Sequence, residues 1–398
     1  MSLELTSTAA RGLSISRVRE VSPLRVAALI TLLYAVAAAN ALAHDRAGHF
    51  AFVGRSFVER PATSRTIAEH SVPTTEAGYD GQFALFIALD PAHAAPSIDK
   101  PAYRYSHILY PIAARIVALG NDDWVPAAML IVNVLAVFFG TLTLGLILRR
   151  ERQPVWWAAS FGLFPGSLVA FDRDLGDLLA YALVALGVLA LRWEMPRRVL
   201  LAGAMFALAA LARESTLLFP AVLSLIHAAG AGRAGRRRLA EAAGLALVAA
   251  APYAGWRIFI LAWLGADHSV PSGLAPFPFA GLLHQAWDTS AVVNLLTVVV
   301  PGLILLWPAL QACVRHRWSP LAICLALQLV VFVLFLPWQS YADYYAAGRL
   351  QLGAVVAALC CAPLLRMYAN PRVVAIGAGL AFAPCLYFVP IVLSGTPI

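Results

Sequence analysis

From Pro23 onward the chain is a series of apolar runs of about 18–25 residues with short polar connections between them. Each run is long enough to cross roughly 30 Å of hydrocarbon. The alternation of a barrel strand is missing, and backbone groups in lipid must find partners inside their own segment, so the runs predict α-helices. About eleven spans result, at roughly 24–43, 125–148, 154–171, 175–191, 198–212, 214–230, 239–263, 291–312, 319–337, 348–366 and 373–393. The expected fold is all-α, a polytopic transmembrane helical bundle forming one domain over 1–398. A single long polar stretch, 44–124, interrupts the series. Within it, "DGQFALFIALD" places Phe83, Phe86, Ile87 and Asp90 on one helical stripe, and "HILYPIAARIVALG" (107–120) is apolar but short for a span. Both read as interfacial helices lying along the membrane surface.

Composition agrees with the pattern. The 398 residues are 61% hydrophobic and 13% charged, too apolar for a soluble core to absorb. The formal charge of +8 is a topology signal. Eighteen of the 29 basic residues fall in the N-terminal tail (Arg11, Arg17, Arg19, Arg25) or in five clusters at every second connection. These are Arg149/Arg150/Arg152, Arg192/Arg197/Arg198, Arg233/Arg236/Arg237/Arg238, Arg315/Arg317 and Arg366/Arg372. Such alternation follows the positive-inside rule and argues against a nucleic-acid partner. It places the 1–23 tail in the cytoplasm, the 44–124 loop outside and the C-terminus outside. Counting 107–120 as a span would export Arg149, Arg150 and Arg152. The "ALA" at 41–43 resembles a signal-peptide cleavage site, but an apolar stretch of nearly twenty residues favours a retained helix.

On this topology sixteen of the 21 acidic residues and seven of the nine histidines face outward, so any site opens on that side. Asp80 stands at the start of a short helix, where it serves either as an N-cap or as a general base whose pKa partial desolvation raises. Asp172 and Asp174 of "DRD", with Asp177 one turn on, either hold Mg²⁺ or Mn²⁺ or simply cap the outer end of a span. Arg213 and Glu214 sit between two apolar runs, as a salt-bridged turn or as substrate-facing charges. Arg349 has the fork geometry for a phosphate. Trp338, Tyr344 and Tyr345 fit an aromatic belt. His268 and His284 are weaker ligand candidates, while His44, His49 and His70 show no metal spacing. The five cysteines lie in or beside apolar runs and read as inert buried thiols. No phosphate-binding Gly-rich loop, nucleotide-binding domain or clear internal repeat is present.

Together, "YDGQFALFIALDP", "IDKPAYRYSHILYP", "FDRDLGDLLAYALVALGVLAL" and "LAALARESTLLFP" resemble the GT-C superfamily of membrane glycosyltransferases. The likeness is to bacterial cell-surface glycopolymer proteins and, more distantly, to GPI mannosyltransferases. It covers about 79–220. It implies a bacterial inner-membrane protein with its site on the periplasmic face, taking a sugar from a polyprenyl-phosphate donor to a lipid or glycan acceptor. The first outer loop of such proteins carries an essential carboxylate, which Asp80 matches. The implied substrate contacts are Tyr79, Gln82, Arg104, Tyr105, Arg213, Glu214, Tyr345 and Arg349, with Asp172 and Asp174 as a metal site. Unlike the oligosaccharyltransferase branch, the chain has no large soluble C-terminal domain and no W-W-D motif. A secondary transporter or flippase of lipid-linked glycans, and a non-catalytic envelope partner, are the rival readings.

Overall fold

Prolines open many of the helices. Pro23, Pro165, Pro320 and Pro371 each occupy a first helical position, where the missing N–H costs nothing and φ is already set. A computed structural model describes residues 21–195, 197–230, 235–266, 273–316 and 319–395. Most of the 1–23 tail, Arg233, Arg317 and His268 lie outside the described residues.

The apolar runs are helical, but their lengths differ from the expected eleven spans. Among the described residues five helices are long and apolar enough to cross a membrane: Pro23–Ala43, Asp122–Arg150, Gly235–Leu264, Thr289–Arg315 and Pro371–Ser394. A sixth arises if Tyr344–Cys360 and Ala362–Tyr368, bent by 83°, are one span. Arg198–Ala212, Glu214–Ala229 and Pro320–Leu334 are apolar but shorter. The run expected at 154–171 is broken. Phe164 is extended ahead of Pro165, separating Ala159–Leu163 from Pro165–Asp172. A residue before proline is driven out of the helical region, which accounts for the break.

The bundle has two chemically different ends. The Asp177–Arg192 helix, 16 residues and so about 24 Å long, runs between them. At its last residue Arg192 donates to Glu151 (2.8 Å) and to the Cys360 carbonyl (2.7 Å), near Arg366, which donates to Gln153 (3.0 Å). At its first residue Asp177 faces the 44–124 loop and the cleft described below.

That loop has its own core. The Gly81–Leu89 helix is buried on every side, with Phe83, Leu85, Phe86, Ile87, Ala88 and Leu89 packed against Tyr110, Ala114, Met129, Val132 and Ile260. This corrects the expectation of a surface helix: a segment apolar all round belongs in an interior. The Leu109–Val117 helix, by contrast, is one-sided. It buries Tyr110, Pro111 and Ala114 and leaves Ile116, Val117 and the following Leu119 facing outward. A two-residue parallel ladder pairs Val53–Gly54 with Pro73–Thr75, a small β element the hydrophobic pattern did not reveal. The Trp256 indole donates to the Tyr105 carbonyl (2.8 Å) and Arg257 to the Ala102 carbonyl (2.5 Å), clamping the loop to the Gly235–Leu264 helix.

Candidate functional site

Asp80 occupies the N-cap position of the Gly81–Leu89 helix but does not cap it. Its backbone is already helical (φ −55°, ψ −31°), which turns the carboxylate away from the free N–H groups. Oδ1 lies 2.9 Å from Arg104 Nη1 and Oδ2 accepts from Arg349 Nη2 at 2.5 Å. Burial opposes the charge, yet the Arg349 and Arg104 guanidiniums outweigh it and hold the carboxyl well below the usual carboxylate range. The expected upward shift is therefore reversed. Arg104 is raised in turn: desolvation works against its charge, and Asp80 and Asp99 more than compensate. Arg104 also forks onto Asp99 (2.9 and 3.0 Å) and stacks 4.4 Å over the Phe83 ring.

The neighbouring residues explain the "GYDGQ" spelling. Gly78 has φ +73°, and a Cβ there would collide with the Gln82 side chain. A Cβ on Gly81 would run into the Arg173 carbonyl, so only glycine lets the two segments touch. Gln82 is buried and accepts from the Gly54 N–H at 2.8 Å, pinning the loop.

Around Asp80 a cleft is lined by Phe83, Arg104, His107, Tyr110, Asp174, Asp177, Arg213 and Arg349, among others. Arg213 is in extended conformation after the Arg198–Ala212 helix, and its Nε lies 3.4 Å from Asp177 Oδ1. Arg349 ends the Tyr344–Arg349 helix, whose N-terminus Asp343 caps through the Ala346 N–H (2.7 Å). Its Nη1 is 3.9 Å from Asp177 Oδ2, and neither Nη1 nor Nε has a hydrogen-bond partner although both are buried. Three guanidiniums thus converge on one cleft with donors to spare.

Arg213 and Glu214 do not pair with each other. Glu214 instead bonds the His107 Nε2. Asp174 and Asp177 were expected on one helical face, but the helix begins only at Asp177 and Asp174 is left-handed (φ +49°). That turn still brings both into the cleft. Asp174 accepts from the Tyr110 hydroxyl (3.0 Å), which accepts from Asn133 (2.8 Å). Asp172 accepts from Arg173 (2.8 Å), whose guanidinium lies 3.5 Å over Phe52 and 4.4 Å over Tyr345. Among the described residues no three His, Cys, Asp or Glu side chains converge on a point where a cation would sit. Asp172 is engaged by Arg173 and does not line the cleft that Asp174 enters.

Of the expected contacts, Asp80, Arg104, Arg213 and Arg349 meet in the cleft, with Glu214 at its edge through His107. Tyr79 lies behind them, its ring 5.6 Å from Arg349 and 5.7 Å from Arg173. Tyr345 stacks on Arg173 rather than lining the cleft. Tyr105 is buried and donates to the Pro91 carbonyl (2.8 Å), and Gln82 serves the loop, so both fall outside. His284 lies against Trp338 with ring centroids 5.8 Å apart and does not line the cleft. His107 and Tyr110 were missed, although His107 follows Arg104 by three residues in the "YRYSHILYP" segment. Asp177 was noted only for its spacing from Asp174. Comparison of the chain with family models, with curated proteins and with solved structures finds no match.

Proposed function

We propose that this chain is an integral-membrane glycosyltransferase of GT-C type, moving a sugar from a polyprenyl-phosphate donor to a lipid or cell-surface glycan acceptor. The observation that carries the reading is the convergence of Arg104, Arg213 and Arg349, with unused N–H donors on Arg349, beside an open apolar groove. The groove is lined by Ile108, Leu211, Ala251, Pro252, Gly255, Trp256 and Phe259. Ile108 adjoins His107, and Leu211 lies two residues before Arg213. A lipid phosphate needs this combination, an apolar track for the tail ending at cations for the head. The site end faces the periplasm of a bacterial inner membrane, and the basic end lies inside. The shorter and broken helices complete about eleven crossings.

In the reaction the donor phosphate leaves with the electron pair of the C1–O bond, and the arginines neutralise its growing charge. Asp80 is the essential carboxylate: it holds Arg104 and Arg349 in register until the phosphate competes for them. A single displacement inverts the anomeric centre. No step is routed through a metal ion.

The test is transfer of labelled sugar from synthetic polyprenyl-phosphate pentoses and hexoses by the purified protein in lipid. Wild-type transfer that is lost in a folded Asp80→Asn variant supports the reading. Absence of transfer with every donor would move weight to the transporter or flippase. One feature favours that second reading, the helix broken at Pro165, whose Gly166 packs against Gly348 and Arg349, since transporters use discontinuous helices at their sites. Counterflow of a labelled lipid-linked glycan in proteoliposomes would decide for it.

A further inference from the structure

We propose that the acceptor hydroxyl is deprotonated by His107, oriented by Glu214, and that Asp80 acts as the anion positioning the arginines. The inference rests on the glycosyltransferase reading and assigns it a base. Three observations lead to it. First, each Asp80 oxygen is held by a guanidinium, one by Arg104 and one by Arg349, so taking a proton would cost Asp80 the charge that both arginines pair with. Second, His107 and Glu214, 107 residues apart in sequence, are brought into direct contact by the loop and the turn after the Arg198–Ala212 helix. Third, both side chains stay in reach of a molecule entering from outside, at 17% and 36% exposure for His107 and Glu214. The imidazole is further held by the Tyr103 ring, edge-on at a 5.0 Å centroid distance.

The chemistry follows from which nitrogen is used. Glu214 is an acceptor only, so the neutral imidazole carries its proton on Nε2 and leaves a lone pair on Nδ1. Nδ1 takes the acceptor O–H proton as that oxygen bonds to C1, and the C1–O bond to phosphate breaks toward the phosphate. The imidazolium that forms lies against the Glu214 carboxylate, and the phosphate charge goes to the guanidiniums. One proton moves to His107, one bond forms and one breaks. An imidazole held by a carboxylate is suited to this work, and a carboxylate locked between two arginines is a poor base.

The experiment uses full-length protein in nanodiscs with the same synthetic donors and octyl glycoside acceptors. Wild type is compared with His107→Ala, His107→Gln, Glu214→Gln, Glu214→Asp and Asp80→Asn. Turnover in His107→Ala should fall about 10³-fold, within the usual range for removing a general base. Added imidazole should restore much of it, but should restore nothing to Asp80→Asn. Glu214→Gln should lower kcat with little change in donor KM, and Glu214→Asp should recover part of the loss. Binding of a fluorescent polyprenyl phosphate should match wild type in both His107 variants, which shows that they are folded, and should weaken in Asp80→Asn. Either His107 variant working within threefold of wild type overturns the assignment while leaving the transferase reading intact. So does an inactive His107→Ala that binds donor and ignores imidazole. A wild type without transfer overturns both.

Discussion

At the residue scale the deciding feature is what Asp80 touches. A carboxylate at a helix start usually serves the backbone, but here helical φ and ψ at Asp80 itself turn it to two arginines. The pairing sets a pH signature. Because the folded value is lowered, the ion pairs contribute fully above the ordinary aspartate pKa of about 4 and are lost only as pH falls through the lower folded value. The melting-temperature gap between wild type and Asp80→Asn should be constant from about pH 6 to 8 and close only well below pH 4, as read by thermal unfolding in detergent. A gap that closes between pH 5 and 7 would mean that Asp80 is not held by Arg104 and Arg349.

At the element scale, the Pro165–Asp172 helix and the Tyr344–Arg349 helix meet through glycine. A Cβ on Gly166 would stand 2.5 Å from the Gly348 carbonyl oxygen and 2.8 Å from Arg349 Cα, both backbone atoms that cannot rotate away. Gly166→Ala should therefore cost about 2 kcal/mol and push Arg349 out of the cleft. A lower melting temperature together with a raised donor KM would show both effects, and an unchanged KM would show that Arg349 does not depend on this contact. The same scale explains the fate of the two loop helices. Uniform apolarity made Gly81–Leu89 a core helix, whereas the one-sided pattern of Leu109–Val117 left Ile116 and Leu119 facing outward.

For the whole molecule, the proposed orientation separates Glu76, on the loop that carries Asp80, from Glu151 at the basic end. In a cysteine-free background, Glu76→Cys in intact cells should react with a membrane-impermeant maleimide, and Glu151→Cys should react only after permeabilisation. Equal labelling of both would overturn the orientation. Among the described residues five or six helices have the length to cross, and the shorter one at Arg198–Ala212 ends at the site. A bundle with mixed helix lengths can hold polar groups below the membrane surface, which suits a cleft whose arginines come from the loop and from two different helix ends.

The sequence by itself determined that the chain is a bundle of apolar helices, that a single long polar loop stands apart, and that Asp80, Arg104, Arg213 and Arg349 carry candidate chemistry. Hydrophobic run length, charge position and residue type are local properties, so they can be read in order along the chain. Tertiary structure decided the rest. Gln82 and Tyr105 belong to the loop's packing, and Asp172 is taken up by Arg173. His107 meets Glu214, and Asp80 is clamped from two sides. Among the described residues the number of helices long enough to cross also fell below the count of apolar runs, because Phe164–Pro165 and the bend at Cys361 interrupt two of them and the helices at Asp177–Arg192, Arg198–Ala212, Glu214–Ala229 and Pro320–Leu334 are short. Contacts between residues 107 or 269 positions apart depend on how helices pack, and no local pattern encodes a distance.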